Sequence, residues 1–171
     1  MIKCQGDRVV VTTKVLRAVF DRGWLVSLEC RQTGRVWVDA PAPEGSPLQA
    51  VHVPNEAVDV ADRRTGRIRV VPLSAVRAQV RVHGWDADGV IDIGEDEETG
   101  EVLIEPAVST SRPGVLACRW RLPRTSAGIE LVAPFFQGVR LPPSDPLLQR
   151  RWTWPQWWEA DLGILQGEGG G

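Results

Sequence analysis

Residues 8–38 read RVVVTTKVLRAVFDRGWLVSLECRQTGRVWV. Apolar side chains recur at every second position through 8–13, 15–20 and 24–31. The runs are broken by Asp21-Arg22-Gly23 and by Gln32-Thr33-Gly34, after which Val36-Trp37-Val38 resumes the pattern. A period of two punctuated by glycine-containing turns specifies half-buried antiparallel strands, here a β-meander. The same rhythm continues at 57–60 and 67–71 around Arg63-Arg64-Thr65-Gly66. It is clearest at 75–83, where Val76, Ala78, Val80 and Val82 alternate with Arg77, Gln79, Arg81 and His83. That alternation puts the small apolar set on a core and the charged set in water. A turn at Asp86-Ala87-Asp88-Gly89 is expected before a strand at 90–93, and an acidic turn at 95–100 before a strand at 101–108. Residues 116–122 and 129–132 read as a hairpin, and 138–141 and 162–165 as the last strands.

The segment 40–55 carries four prolines and reads as a loop whose backbone stays out of a sheet interior. No stretch of twelve residues shows a helical period, and only short helical turns after Pro72, at 146–149 or at 155–160 suit the sequence. The expected class is all-β, an antiparallel β-sandwich formed as a single domain over residues 1–171.

With 171 residues, 43% hydrophobic and 25% charged, the chain has the composition of an ordinary globular protein. A fold of this size buries roughly 70% of the surface its unfolded chain exposes. The net charge of −2 and the interspersed acids argue against nucleic acid as a partner. No window is long and apolar enough to span a bilayer, and the opening Met1-Ile2-Lys3-Cys4-Gln5-Gly6-Asp7 has no apolar leader, so a cytoplasmic location without membrane association is expected. Cys4, Cys30 and Cys118 match neither a disulfide framework nor a metal-ligand spacing.

Asp86, Asp88, Gly89, Asp92 and Glu95 overlay part of a calcium-loop pattern, but its first ligand position falls on Gly84, so a solvated Asp-Gly turn is the expected structure. His52, in the proline-rich segment, and His83 are the two histidines, and neither has a nucleophile or acid at a recognisable catalytic spacing. Surface placement is expected for His83, and a solvated tip for the acids at 95–98. No cofactor is implied. Glu159 and Asp161 share a face if their segment is extended, which would raise one pKa, but no catalytic role is assigned to them.

Four of the eight tryptophans fall within residues 152–158. Trp152 and Trp154 share a face if extended, whereas Trp157 and Trp158 point to opposite faces of a strand. Together with Arg150, Arg151 and Glu159 they form the candidate carbohydrate-binding or domain-interface residues. Flat indoles stack on the C–H face of a pyranose, while fork-like polar groups take its hydroxyls. The competing role is packing, as a plug of the sandwich or a junction with another domain.

The hairpin Val19-Phe20-Asp21-Arg22-Gly23-Trp24-Leu25-Val26-Ser27-Leu28, with Arg31-Gln32-Thr33-Gly34-Arg35 after it, resembles the opening of galactose-mutarotase-like β-supersandwich domains, which precede catalytic barrels in many glycoside hydrolases. Pro134-Phe135-Phe136-Gln137-Gly138-Val139-Arg140-Leu141-Pro142 and Trp158-Glu159-Ala160-Asp161-Leu162-Gly163-Ile164-Leu165-Gln166-Gly167 are similar to late strands of such domains. The resemblance implies a non-catalytic accessory sandwich, the N-terminal part of a larger glycoside hydrolase-like protein, with a catalytic barrel or carbohydrate as its partner. The chain departs from the family in having no segment that corresponds to the barrel and no mappable His and Glu set of a mutarotase. The alternatives are a free-standing carbohydrate-binding module, a sugar mutarotase or isomerase, and a module that self-associates into a homo-oligomer through an open sheet edge.

Overall fold

The computed structural model describes residues 1–53, 56–60, 67–84, 87–121, 129–133, 139–142 and 164–167, and these divide between two compact units, Met1–Arg124 and Thr125–Gly171. The described residues contain strands and no helix.

In the first unit, β1 (Ile2–Gln5), β2 (Arg8–Thr12), β3 (Leu16–Asp21), β4 (Trp24–Cys30) and β5 (Val36–Asp39) form one antiparallel sheet in chain order. This is the anticipated meander with one strand added at its edge. Ile2 draws β1 in, since it is buried and its N–H donates to Ala75 O at 2.7 Å. A second sheet has the order β11-β10-β9-β8, built from β8 (Arg67–Pro72), β9 (Arg77–His83), β10 (Ala87–Glu95) and β11 (Val102–Thr110).

The third sheet corrects the reading of the proline-rich segment. β6 (Leu48–His52) is its central strand, flanked by β12 (Val115–Trp120) and β7 (Glu56–Asp59). Pro41, Pro43 and Pro47 precede β6 and Pro54 follows it, so the five residues that pair retain every backbone N–H. Leu48 and Ala50 are fully buried, which holds the strand inside. The expected hairpin of 116–122 with 129–132 does not form. β12 pairs with β6, while β13 (Ile129–Ala133) pairs in the second unit with β14 (Val139–Leu141) and β15 (Ile164–Gly167).

One apolar cluster joins the three sheets of the first unit. It takes Val9, Val11, Phe20 and Val38 from the meander, Val80, Val82, Ile91 and Ile93 from the second sheet, and Leu48 with Val60 beside the third. Two antiparallel sheets sharing one core make a sandwich. Each fully buried aliphatic or aromatic side chain contributes about 1.5–3 kcal/mol, so the alternating face read from the sequence is the main source of stability. The polar set of β9 lies outside as expected, with Gln79 Nε2 donating to Asp92 Oδ1 across to β10 at 3.0 Å.

A bulge in β4 gives the meander a second apolar face. Val19 pairs with Ser27 and Phe20 with Leu25, leaving Val26 as the extra residue. Val26 then joins Val19 and Trp24 in a separate buried cluster, against which Val10 and Ala42 pack. The Arg121 guanidinium lies 4.9 Å from the Trp24 ring centroid, a cation–π contact that covers the indole.

Candidate functional site

The candidate residues from the sequence, Arg150, Arg151, Trp152, Trp154, Trp157, Trp158 and Glu159, lie outside the described residues, as do Asp86 and Asp161. The described part of the first unit contains a different candidate, assembled from strand ends.

Its base is the β3–β4 turn. Arg22 and Gly23 have φ of 51° and 83°, and Asp21 pairs with Trp24 across them, the geometry of a type I′ hairpin. The turn is clamped from three sides. A Cβ on Gly23 would stand 2.9 Å from both Ile91 Cδ1 and Pro47 Cγ, and the Trp120 indole N–H donates to Gly23 O at 3.0 Å. The neighbouring Arg22 N–H donates to Asp7 O at 2.9 Å, which ties the β1–β2 and β3–β4 tips together. With its backbone fixed, Arg22 lines an open cleft of about 950 Å³.

The other walls come from the second sheet. Arg67, Ile68 and Arg69 enter from the start of β8, His83 and Gly84 from the end of β9, Asp88 from the start of β10, and Asp7 from the β1–β2 turn. Ile68 is half-buried and packs against the core, on the opposite face of β8 from Arg67 and Arg69. The cleft sits at the loop end of the sandwich, where small-molecule sites of roughly 300–1,000 Å³ are built from segments a rigid scaffold holds in place.

Charge is distributed unevenly around it. His83 Nδ1 and Asp88 Oδ1 are 3.0 Å apart, so these two occupy each other. The guanidiniums of Arg22, Arg67 and Arg69 make no hydrogen bond or ion pair with any described residue. Arg77, Arg112 and Arg121 elsewhere in the unit pair with Glu105, Glu56 and Asp59 respectively. Arg69 also stands directly opposite Arg81 in the β8–β9 register, a like-charge cross-strand pair that weakens a sheet. The sequence signals for these residues were an arginine, rather than Asn or Asp, before the glycine of a two-residue turn, and Arg67 with Arg69 on one face of a strand. Neither signal reveals that the two come together.

The other sequence candidates separate. His52 is almost fully buried on β6 with Nδ1 3.3 Å from Pro113 O, whereas His83 is exposed on β9. The partial calcium pattern dissolves because Asp88-Gly89 lies inside β10 rather than at a turn. The hairpin closes earlier, with Gly84 N–H donating to Ala87 O at 2.8 Å. Asp88 and Asp92, four residues apart on an extended strand, are separated by about 13 Å and cannot share a cation. Among the described residues no group of three or more His, Cys, Asp or Glu side chains suits a metal. Glu95 is not part of a solvated tip, since its side chain is 10% exposed and binds the N-terminal ammonium of Met1. Cys4, Cys30 and Cys118 are free thiols, and burial pushes the Cys4 and Cys118 thiols up, while the Thr33 hydroxyl, followed by the backbone N–H groups of Thr33 and Gln32, holds half-buried Cys30 below the usual thiol range.

Fold and cleft together define an all-β antiparallel sandwich with a basic cleft at its loop end. The chain matches no known protein family, no curated protein and no solved structure.

Proposed function

We propose that this chain is a non-catalytic accessory β-sandwich of a glycoside hydrolase-like protein, supporting a catalytic barrel and binding carbohydrate. The observation that carries the reading is the polar cleft held on the loop end of the sandwich, where guanidinium, carboxylate and imidazole groups stand around one opening. That set of donors and acceptors suits a sugar, whose hydroxyls need both. Support for the galactose-mutarotase-like type comes from the β3–β4 hairpin over the stretch that resembles it, and from β14 and β15 within its two late segments. The two histidines lie on different sheets, His52 buried on β6 and His83 with its side chain exposed on β9, so the accessory role is favoured over ring-opening chemistry.

The test is a titration of the full chain with neutral and acidic oligosaccharides, followed by tryptophan fluorescence and calorimetry. A saturable response is expected to at least one sugar. The fluorescence change should disappear in Trp154→Ala or Trp157→Ala if the tryptophan run is the stacking platform. A full panel with no heat and no quenching would refute carbohydrate binding.

A further inference from the structure

We propose that the cleft at the loop end is selective for an acidic sugar unit, one bearing a carboxylate or a phosphate ester, with the anion held by Arg22, Arg67 and Arg69. The inference rests on the carbohydrate reading and names the substrate class of that site.

Three observations converge on it. First, Arg22, Arg67 and Arg69 line one cleft with no carboxylate among the described residues paired to any of them. Arg8, Arg17 and Arg119 also lack side-chain partners among the described residues but do not line this cleft. Guanidinium is a fork of donors matched to carboxylate and phosphate oxygens, and two or three of them around one opening make an anion site rather than a solvated face. Second, the positive charge is gathered against the local interest of the fold. Arg67 and Arg69 lie two residues apart on the same face of β8, about 7 Å along the strand, and Arg69 faces Arg81 in register. An anion between Arg67 and Arg69 offsets the repulsion of these two guanidiniums. Third, Arg22 occupies a left-handed backbone position, φ 51°, that Asn or Gly fills at lower cost. A costly residue held rigidly at the mouth of a cleft is the pattern of a side chain retained for binding.

The carboxylates specify the rest of the ligand. Asp7 lies on the rim without an ion partner among the described residues, and Asp88 is held by His83. A bare inorganic anion gains nothing from Asp7, which repels it. A sugar that presents its anion to the arginines and a hydroxyl to Asp7 satisfies both signs of charge.

The experiment is an NMR titration of the full chain, reading the arginine Nε–H resonances at matched ionic strength with glucuronate, glucose 6-phosphate, glucose, inorganic phosphate and sodium chloride. Glucuronate or glucose 6-phosphate is expected to bind saturably with a Kd on the order of millimolar, and the stronger of the two identifies the anion. Glucose and inorganic phosphate should each bind at least about tenfold more weakly. The Arg67→Gln/Arg69→Gln double variant and Arg22→Asn should each lose about tenfold or more, while Arg119→Gln, an exposed and unpartnered arginine away from the cleft, should bind as the parent does. Equal affinity for inorganic phosphate overturns the sugar part of the proposal. An equal loss in Arg119→Gln overturns the site. Binding of neutral oligosaccharides through the tryptophan run, with no response to either acidic sugar, overturns this inference and leaves the carbohydrate reading standing.

Discussion

Adjacent substitutions in the β3–β4 turn should change stability in opposite directions. Arg22 and Gly23 both have positive φ, yet only Gly23 is enclosed. For Gly23→Ala the left-handed backbone costs an L-residue about 1–2 kcal/mol. The new methyl would also meet Ile91 Cδ1 and Pro47 Cγ at 2.9 Å, and Pro47 is itself fully buried. Overpacking of that kind costs about 1–3 kcal/mol, so the expected loss is about 2–5 kcal/mol. In a chain of 171 residues each kcal/mol moves Tm by about 2–4 °C, so Tm should fall by roughly 4–20 °C. For Arg22→Asn the φ is unchanged, Asn tolerates it far better than Arg, and the guanidinium gives up no hydrogen bond. A gain of about 0.5–1 kcal/mol, or about 1–4 °C, is expected. Calorimetric scans of the parent and both variants, with reversibility checked by rescanning, measure the pair. A neutral Gly23→Ala would show that the turn is not clamped. A destabilised Arg22→Asn would show that the arginine serves the fold, which would remove the stability argument for its role in the cleft.

Leu48→Ala should lose about 2–5 kcal/mol in urea unfolding, because this fully buried side chain sits on the strand that joins the third sheet to the shared core. Trp120→Phe should keep the tilted ring contact to Phe20, at 6.4 Å between centroids, but lose the donor to Gly23 O, with a cost of about 1–3 kcal/mol in the same assay. Iodoacetamide at mildly alkaline pH, followed by peptide mass spectrometry, should label Cys30 before Cys4 and Cys118, since Cys30 ionises more readily and the other two are raised by burial. Thr33→Ala should narrow that advantage without abolishing it, since the backbone N–H groups of residues 32 and 33 remain. Asp96 accepts the N–H groups of Thr99 at 3.0 Å and Glu98 at 2.8 Å, which, with Thr99 contributing more, depress its pKa. Its stabilising contribution is complete above the unfolded-state pKa and disappears as pH falls through the lower folded-state value. Asp96→Asn should therefore flatten the acid limb of the stability curve without altering the limb above neutrality, as measured by urea midpoints from acid to mildly alkaline pH.

The reach of the sequence is clearest at β9. Val80 and Val82 are buried and Arg81 and His83 exposed, as their alternation requires, because side-chain direction in a strand is set locally by the pleat. The β3–β4 turn was equally legible from Arg22-Gly23 between two apolar runs. Reading failed where a single feature was allowed to speak for its neighbours. Four prolines made 40–55 look excluded from a sheet, although Leu48–His52 between them is proline-free and becomes a central strand. Asp88-Gly89 looked like a turn, although Gly89 is needed inside β10, where any Cβ would stand 2.6 Å from Leu48 Cδ1.

The amino-acid pattern by itself determined the class of this protein, an all-β chain of amphipathic antiparallel strands, since period, turn chemistry and the facing of each residue are local properties. Tertiary structure alone decided that β6 lies between β12 and β7, that Ile2 anchors an edge strand, and that Asp7, Arg22, Arg67, Arg69 and Asp88 surround one cleft. Those relations join residues up to 81 positions apart, from Asp7 to Asp88. They depend on which apolar faces bury one another, a choice made by the whole core and carried by no single segment.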